Sequence, residues 1–439
     1  MAKGKGDPTR RGNPEGVAFE SFLVHGRHFT EKWDFRHHLV PPQSSSVTYR
    51  LDATERGAKG FREYASGEAT KGEPIYIYDR LDEPTRGMLE DELACIEGGD
   101  FCVCFSTGMA AINAALGVLL RSGEEVVSHR TIYGCTYSLF TTWFPRMNLS
   151  VQFVDMRDLE ELEAAISPEA RVLYLESPAN PTMELIDLRG VAQVARRINQ
   201  TRSEEERLWV VVDNTFATPF CQRPLELGVD VVLHSLTKNI GGFGTDMGGA
   251  LIGPRRLEGQ VLLYRKDFGA SLAPKSAWPI LVYGLPTLPL RLKRQMATTY
   301  EVARFLQGNP WVARVVYPGL EDHPQIALAK QQMRDPEGNF APGNMIYFET
   351  MEDDPEVPRN CVQLVDWIAQ HGYNVTLAVS LGQLRTLIEN PGAMTHAALP
   401  PEDQLEGGIV PNGIRLSVGI ENSQDIISDL RQAFETLDG

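Results

Sequence analysis

Lys238 stands in the stretch Ser235-Leu236-Thr237-Lys238-Asn239-Ile240-Gly241-Gly242-Phe243-Gly244, directly after the apolar run Asp230-Val231-Val232-Leu233. An amine beside two hydroxyls and nearby glycines suits capture of a carbonyl compound as a Schiff base. The hydroxyls can meet a phosphate, and glycine lets the backbone come close. The preceding run reads as a short strand, which puts Lys238 at its carboxyl end, where open α/β sheets hold their ligands. A solvated lysine after a strand would carry the same local pattern, so other segments must supply the rest of a cofactor site.

Two segments do so. Ser106-Thr107-Gly108-Met109-Ala110 follows the strand candidate Phe101–Phe105 and opens a helix, so its N–H groups and the positive helix end make a phosphate cradle. Asp213-Asn214-Thr215 ends the candidate Trp209–Asp213; a carboxylate there can hold a pyridine nitrogen protonated, although Asp after a strand also serves as a simple helix cap. With Lys238, these strand ends suit pyridoxal 5'-phosphate (PLP), which needs an anchoring amine, an anion cradle and a ring acid.

From about Tyr76 to the C-terminus the chain resembles the Cys/Met-metabolism, or trans-sulfuration, family of PLP-dependent enzymes. The resemblance is carried, in order, by Tyr78-Asp79-Arg80 with Pro84-Thr85, Ser106 to Ile112, Tyr133-Gly134-Cys135-Thr136, Glu176 to Thr182, Asp213 to Thr215, Ser235 to Lys238, Met394-Thr395-His396 and Arg415 to Glu421. It implies a fold-type-I, transferase-like α/β architecture with a mostly parallel seven-stranded sheet and a smaller C-terminal α+β domain. It implies further that Lys238 binds the cofactor covalently and shuttles protons, Asp213 meets the pyridine nitrogen and Asn180 the ring hydroxyl. Tyr133 would stack on the ring and act as acid or base at the leaving group, with Gly108, Met109, Ser235 and Thr237 on the phosphate. Arg415 with Ser380 would receive the substrate carboxylate. Tyr78 and Arg80 would reach the phosphate of a neighbouring subunit, in a homotetramer built as a dimer of dimers.

Within the family, Cys135, the segment Lys266-Asp267-Phe268, and Ile77 in place of an acid before Tyr78 resemble the methionine γ-lyases. They imply γ-elimination from an amino acid with a heteroatom leaving group at Cγ, giving 2-oxobutanoate and ammonia. Asp79, Asp82 and Glu83 depart from the family pattern, as do Gln383 and Arg385. One acid could face a cationic tail such as that of canavanine, or the run could be a solvated acidic loop. Replacement at Cγ, as in the sulfhydrylases and cystathionine γ-synthases, is not excluded by the residues, whereas a non-enzymatic descendant is disfavoured by the intact Lys238, Asp213, Tyr133 and Arg415.

The elements that must position these groups follow from hydrophobic periodicity. Residues 1 to about 18 read as a polar tail, and 1–83 as a tail plus an intersubunit arm without sustained period. Residues 84–289 form the PLP-binding domain: Pro84 to Ile96 is helical, and strand candidates Phe101–Phe105, Glu125–Ser128, Ser150–Val154, Val172–Glu176, Trp209–Asp213, Val229–His234 and Gly249–Ile252 alternate with helices such as Met109–Leu120, Leu159–Ile166 and Leu188–Ile198. The Pro-rich Leu285–Pro289 marks a boundary, and residues 290–439 form an α+β domain. There a helix Leu290–Leu306 precedes strands near Met345–Glu349, Asn374–Ala378 and Gly413–Ser417, with helices near Val362–His371 and Asp425–Leu437.

The 439 residues carry a net charge of −16, which disfavours nucleic acid and anionic membranes as partners; the resemblance implies a small amino-acid substrate. No apolar run is long enough to span a bilayer and no secretory h-region opens the chain, so a cytoplasmic location is expected. The six cysteines have no disulfide or zinc spacing; Cys102 and Cys104 should share one buried strand face. His37-His38 lacks companions at ligand spacing, and no metal is expected.

Overall fold

Short, nearly continuous apolar runs separated by amphipathic segments build a parallel sheet, because each crossover helix covers a face and leaves the strand no polar side. The structure, a computed structural model, describes residues 17–26, 33, 38–64, 66, 75–354, 357–397 and 399–438. The expected tail up to residue 16, and His37, lie outside these. Among the described residues seven strands, β1 (Phe101–Phe105), β2 (Glu125–His129), β3 (Ser150–Val154), β4 (Ala170–Glu176), β5 (Trp209–Asp213), β6 (Val231–Ser235) and β7 (Gly249–Gly253), stand in the order β1-β7-β6-β5-β4-β2-β3. Only β7 runs antiparallel to its neighbours, β1 and β6.

Alternation along the strands divides the core. Val211 on β5 faces Val172, Tyr174 and Val231 together with Ile112 and Leu116 of the Gly108–Leu119 helix. Val210 and Val212 face Leu173 and Leu175 with Leu188 and Val191 of the Leu188–Asn199 helix. Cys102 and Cys104 lie buried together against Ile252 and Leu93, as free thiols on one face.

A second sheet, also of described residues, contains β8 (Val312–Val316), β9 (Met345–Thr350), β10 (Val375–Leu377), β11 (Thr386–Glu389) and β12 (Gly413–Ser417), ordered β10-β11-β12-β9-β8. The helices Arg359–His371 and Ser423–Glu435 cover it through Leu364, Ile368, Ile426 and Leu430. β8 and β11 have no counterpart among the expected strands. β11 is only four residues, all buried, and β8 is a partly exposed edge, so neither shows a period of two over a useful length.

The long helix spans Leu285–Gln307 and so absorbs the Pro-rich stretch. Pro286 lies in its first turn, where the missing N–H has no intrahelical partner to lose, and Pro289 sits inside it. Among the described residues of 18–82 are two helices, Phe19–His25 and Thr54–Glu63. The second escaped the periodicity because glycines form its buried face; a Cβ on Gly60 would lie 2.8 Å from both Ile75 and Ile77. Part of this segment packs on its own chain: Phe19, Phe22, Leu23 and Trp33 enter the core beside Leu288 and Leu292.

Candidate active site

The carboxyl ends of β1, β5 and β6 meet because β7 sits between β1 and β6. Its Gly249 is paired with Phe105 on one side and Ser235 on the other. A side chain at 249 would overlap the Thr107 carbonyl, and one at Gly108 would press to 3.0 Å from Ser235 Cβ. The start of the Gly108–Leu119 helix therefore lies directly against Ser235. Thr107 caps the helix by accepting from Ala110 N at 3.1 Å, leaving the Gly108 and Met109 N–H groups at its open end. Thr237 Oγ1 accepts from Gly248 N at 3.1 Å, and Met109 Sδ lies 3.9 Å from Thr136 Oγ1.

Asp213, the last residue of β5, accepts from Thr215 N at 2.9 Å, and Thr215 Oγ1 in turn accepts from Ser235 N at 2.8 Å. Burial raises the Asp213 carboxyl above its ordinary range; the Thr215 hydrogen bonds and the charges of His234 and Lys238 pull the other way. A buried carboxyl in that condition suits a cationic ring N–H. Glu176 pairs with it in register at the end of β4; its Oε1 accepts from Tyr133 N at 2.8 Å, and burial followed by the Asp213 charge lifts its carboxyl well above the usual range.

Lys238 is half-buried in the turn after β6, its Nζ 2.9 Å from Ser380 Oγ. Burial, then the Arg415 charge, lowers it to about 8 against the opposing effects of Glu389 and Asp213. Ser380 holds φ at +90°, a conformation that is costly for a residue with a Cβ and that other bonds must maintain. Arg415 supplies one, donating from Nη2 to the Ser380 carbonyl at 2.9 Å; its Nη1 donates to Asn180 Oδ1 at 3.0 Å, and Glu389 Oε1 lies 2.9 Å from Nη2. Both members of the Arg415–Glu389 pair are buried. Thr395 of the Met-Thr-His motif donates to the same Glu389 oxygen at 2.8 Å.

The Tyr133 hydroxyl accepts from Cys135 Sγ at 3.3 Å. Burial first, and the Cys135 hydrogen bond second, push the phenol above its usual range. A phenol raised in this way keeps its proton over the ordinary pH range.

The structure thus brings Lys238, Ser380, Arg415, Asn180, Asp213, Ser235, Gly108, Tyr133 and Cys135 into one neighbourhood through linked contacts. Tyr78 and Arg80 have their contacts elsewhere. Arg80 donates to the Lys266 carbonyl and lies 5.7 Å from the Tyr78 ring centroid. Lys266 pairs with Asp267 at 3.3 Å and Phe268 stacks on Tyr264 at 4.2 Å.

The acidic run is neither a solvated loop nor a set of acids free for a ligand. Glu83 is buried and caps the Pro84–Glu97 helix, accepting from Thr85 N at 2.8 Å and from Arg86 N. Asp79 pairs with the fully buried Arg86 at 3.0 Å, and Asp82 Oδ1 accepts from Glu83 N at 2.9 Å. Gln383 packs against Gly244, and Arg385 is exposed. Sequence reasoning gave no role to Glu176, Thr215 or Glu389. The first two lay inside motifs already noted, whereas Glu389 lies on β11, a strand the pattern did not show.

A family model for Cys/Met metabolism PLP-dependent enzymes matches residues 20–435. This chain belongs to that family. It is therefore a PLP-dependent enzyme of the trans-sulfuration type, with a fold-type-I architecture and PLP as its cofactor. It is 36% identical over 425 residues to an L-methionine gamma-lyase of Treponema denticola, covering 96% of this chain and 98% of that one. With an L-methionine gamma-lyase of Pseudomonas putida it shares 39% over 401 residues, 90% and 92% of the two chains. The crystal structure of cystathionine gamma-lyase from Lactobacillus plantarum complexed with L-serine superposes with a TM-score of 0.80 at 33% identity, covering 95% of this chain and 99% of that one. Among the described residues no helix is long and apolar enough to cross a membrane.

Proposed function

We propose that this family member is a γ-lyase acting on L-methionine or a close thioether analogue, releasing a thiol, 2-oxobutanoate and ammonia with uptake of one water. The observation that carries this reading is the Lys238–Ser380–Arg415–Asn180 chain of contacts, with the protonated Tyr133 beside it. The relatives named methionine gamma-lyases support the substrate class. Commitment of Asp79, Asp82 and Glu83 to capping and pairing removes the argument for a cationic substrate such as canavanine.

Lys238 would anchor PLP, Asp213 would face its ring nitrogen and Asn180 its ring hydroxyl. Gly108, Met109, Ser235 and Thr237 would hold its phosphate. When bound, PLP supplies an electron sink for the carbon skeleton of the substrate. Arg415, oriented by Glu389 and backed by Ser380, binds the substrate carboxylate; the ion pair keeps the buried guanidinium matched before substrate arrives. With its affinity for protons lowered toward neutrality, the Lys238 amine can accept the Cα proton and return it elsewhere on the skeleton. Tyr133 donates a proton to the departing sulfur, and Cys135 shapes the pocket beside it.

In this reading Tyr78 and Arg80 serve a neighbouring subunit of a homotetramer, and residues 84–289 and 290–439 act as cofactor-side and substrate-side domains of a cytoplasmic enzyme. Incubation with methionine, canavanine, cystathionine and O-acetylhomoserine, each with and without sulfide, tests the assignment. Thiol and 2-oxobutanoate should form from methionine without added nucleophile. Turnover only when sulfide is present would assign replacement instead.

A further inference from the structure

Beneath the ends of β4, β5 and β6 runs a buried polar chain that the chemistry above does not use. Gln222 is its hub. Its Nε2 donates to the Ser177 carbonyl at 2.8 Å and to Asn214 Oδ1 at 2.9 Å, while its backbone carbonyl accepts from Asn214 Nδ2 at 2.9 Å. Its Oε1 accepts from Gln332 Nε2 at 3.0 Å. The same Gln332 nitrogen lies 3.2 Å from Ser177 Oγ and 3.0 Å from the Ile186 carbonyl, and Gln332 Oε1 accepts from Leu188 N at 3.0 Å. Asn214 Nδ2 also reaches Glu97 Oε1 at 3.1 Å, an oxygen that lies 3.3 Å from His234 Nε2. All of these side chains are buried.

Three of these residues lie close in the chain to proposed cofactor contacts. Ser177 opens the loop that carries Asn180, Asn214 follows Asp213, and His234 precedes Ser235. The loop from Ser177 to Leu188 is also gripped further along, since Gln325, seven residues before Gln332, accepts from Leu185 N at 2.8 Å. Residues seven apart on a helix share a face, so one side of the Ile326–Gln332 helix and its cap clamps this loop. Buried amides are tolerated only where their donors and acceptors are matched, which admits one register of loop against sheet. An apolar filling of similar volume could supply the same stability but not that register.

We propose that Gln222 and Gln332 are positioning residues: they lock the Asn180 loop against the Asp213 corner and so set the geometry with which this chain grips the PLP ring. The proposal rests on the reading that Lys238 anchors PLP between those two residues. It assigns the Ile326–Gln332 helix, which touches no reacting atom, a part in tuning the site.

The test uses the full-length PLP-loaded enzyme with Gln222→Met and Gln332→Met, which keep volume and remove the amide. Leu306→Ala, in the buried core of the C-terminal region, serves as a stability control. Both glutamine variants should raise the Kd for PLP about tenfold and move the pH midpoint of the bound-cofactor absorbance by about half a unit. Their kcat should fall, by up to about 10²-fold. Leu306→Ala should lose thermal stability while keeping the wild-type midpoint and Kd. Glutamine variants with wild-type midpoint and Kd, whatever their Tm, would overturn the proposal. Should Gln222→Met not fold, Gln332→Met decides alone, because it leaves the Gln222–Asn214–Ser177 bonds in place. A wild-type protein with no borohydride-bleachable band would instead sink the assignment of Lys238.

Discussion

Two clusters of buried charge among the described residues have opposite characters. Around Arg86 the charges tie elements together: Arg86 is fully buried against Asp79 and the Leu272 carbonyl, and Arg265 against Glu90 and the Leu81 carbonyl, with Glu83 accepting from backbone N–H groups. Around Lys238 they stand at strand ends: an amine lowered to about 8, a raised Asp213 carboxyl and a raised Tyr133 phenol share one neighbourhood. The first cluster joins the segment before the Pro84–Glu97 helix to the core. The second gathers its groups at strand ends, Asp213 at the end of β5 and Lys238 in the turn after β6, where a cofactor or substrate can reach them. Density of charge therefore does not mark a site; its position at the carboxyl ends of the strands does.

This contrast can be broken by substitution. Lys238→Ala should abolish the borohydride-sensitive absorbance and lower kcat/KM by about 10³-fold or more, with little change in Tm. Arg86→Leu should do the reverse, costing about 3 kcal/mol of stability in denaturant unfolding as Asp79 loses its partner, while the folded fraction keeps its KM. Comparable activity losses in both would erase the distinction. Tyr133→Phe should reduce kcat for a poor leaving group about 10²-fold, less for a good one, as expected of an acid. Glu83→Ala should cost about 1 kcal/mol as a lost cap and leave the ratio of methionine to canavanine turnover unchanged.

The smallest effect is one of pH. Because Lys238 is lowered to about 8, the neutral amine that captures PLP should accumulate as pH rises through that value, and the rate of PLP uptake by the apoprotein should level off above it. An uptake rate still climbing between pH 9 and 10 would indicate an ordinary lysine and remove the main asymmetry between the two clusters.

Much of the proposed site was readable in advance because it follows short apolar strands: Phe101–Phe105 before Ser106, Trp209–Val212 before Asp213, Val231–His234 before Ser235. What resisted reading had no such frame. Glu389 sits on a four-residue strand with every residue buried, so no alternation exposes it, and the Arg415 pair joins residues far apart in the chain. The Thr54–Glu63 helix hides its buried face in glycines. Asp79, Asp82 and Glu83 misled because a one-dimensional run of acids carries no sign of the buried arginine that neutralises part of it.

The reversed strand β7 has a consequence for biosynthesis. Gly249 is what joins the Thr107–Gly108 corner to Ser235, so the anion cradle and the lysine turn belong to one site only after residue 249 has left the ribosome. A nascent chain ending before β7 contains Ser106, Asp213 and Lys238 yet lacks the wedge that sets them in register. Closing such a long-range pairing is a late, slow event in folding. Assembly of that corner therefore waits for β7 and not for the lysine alone.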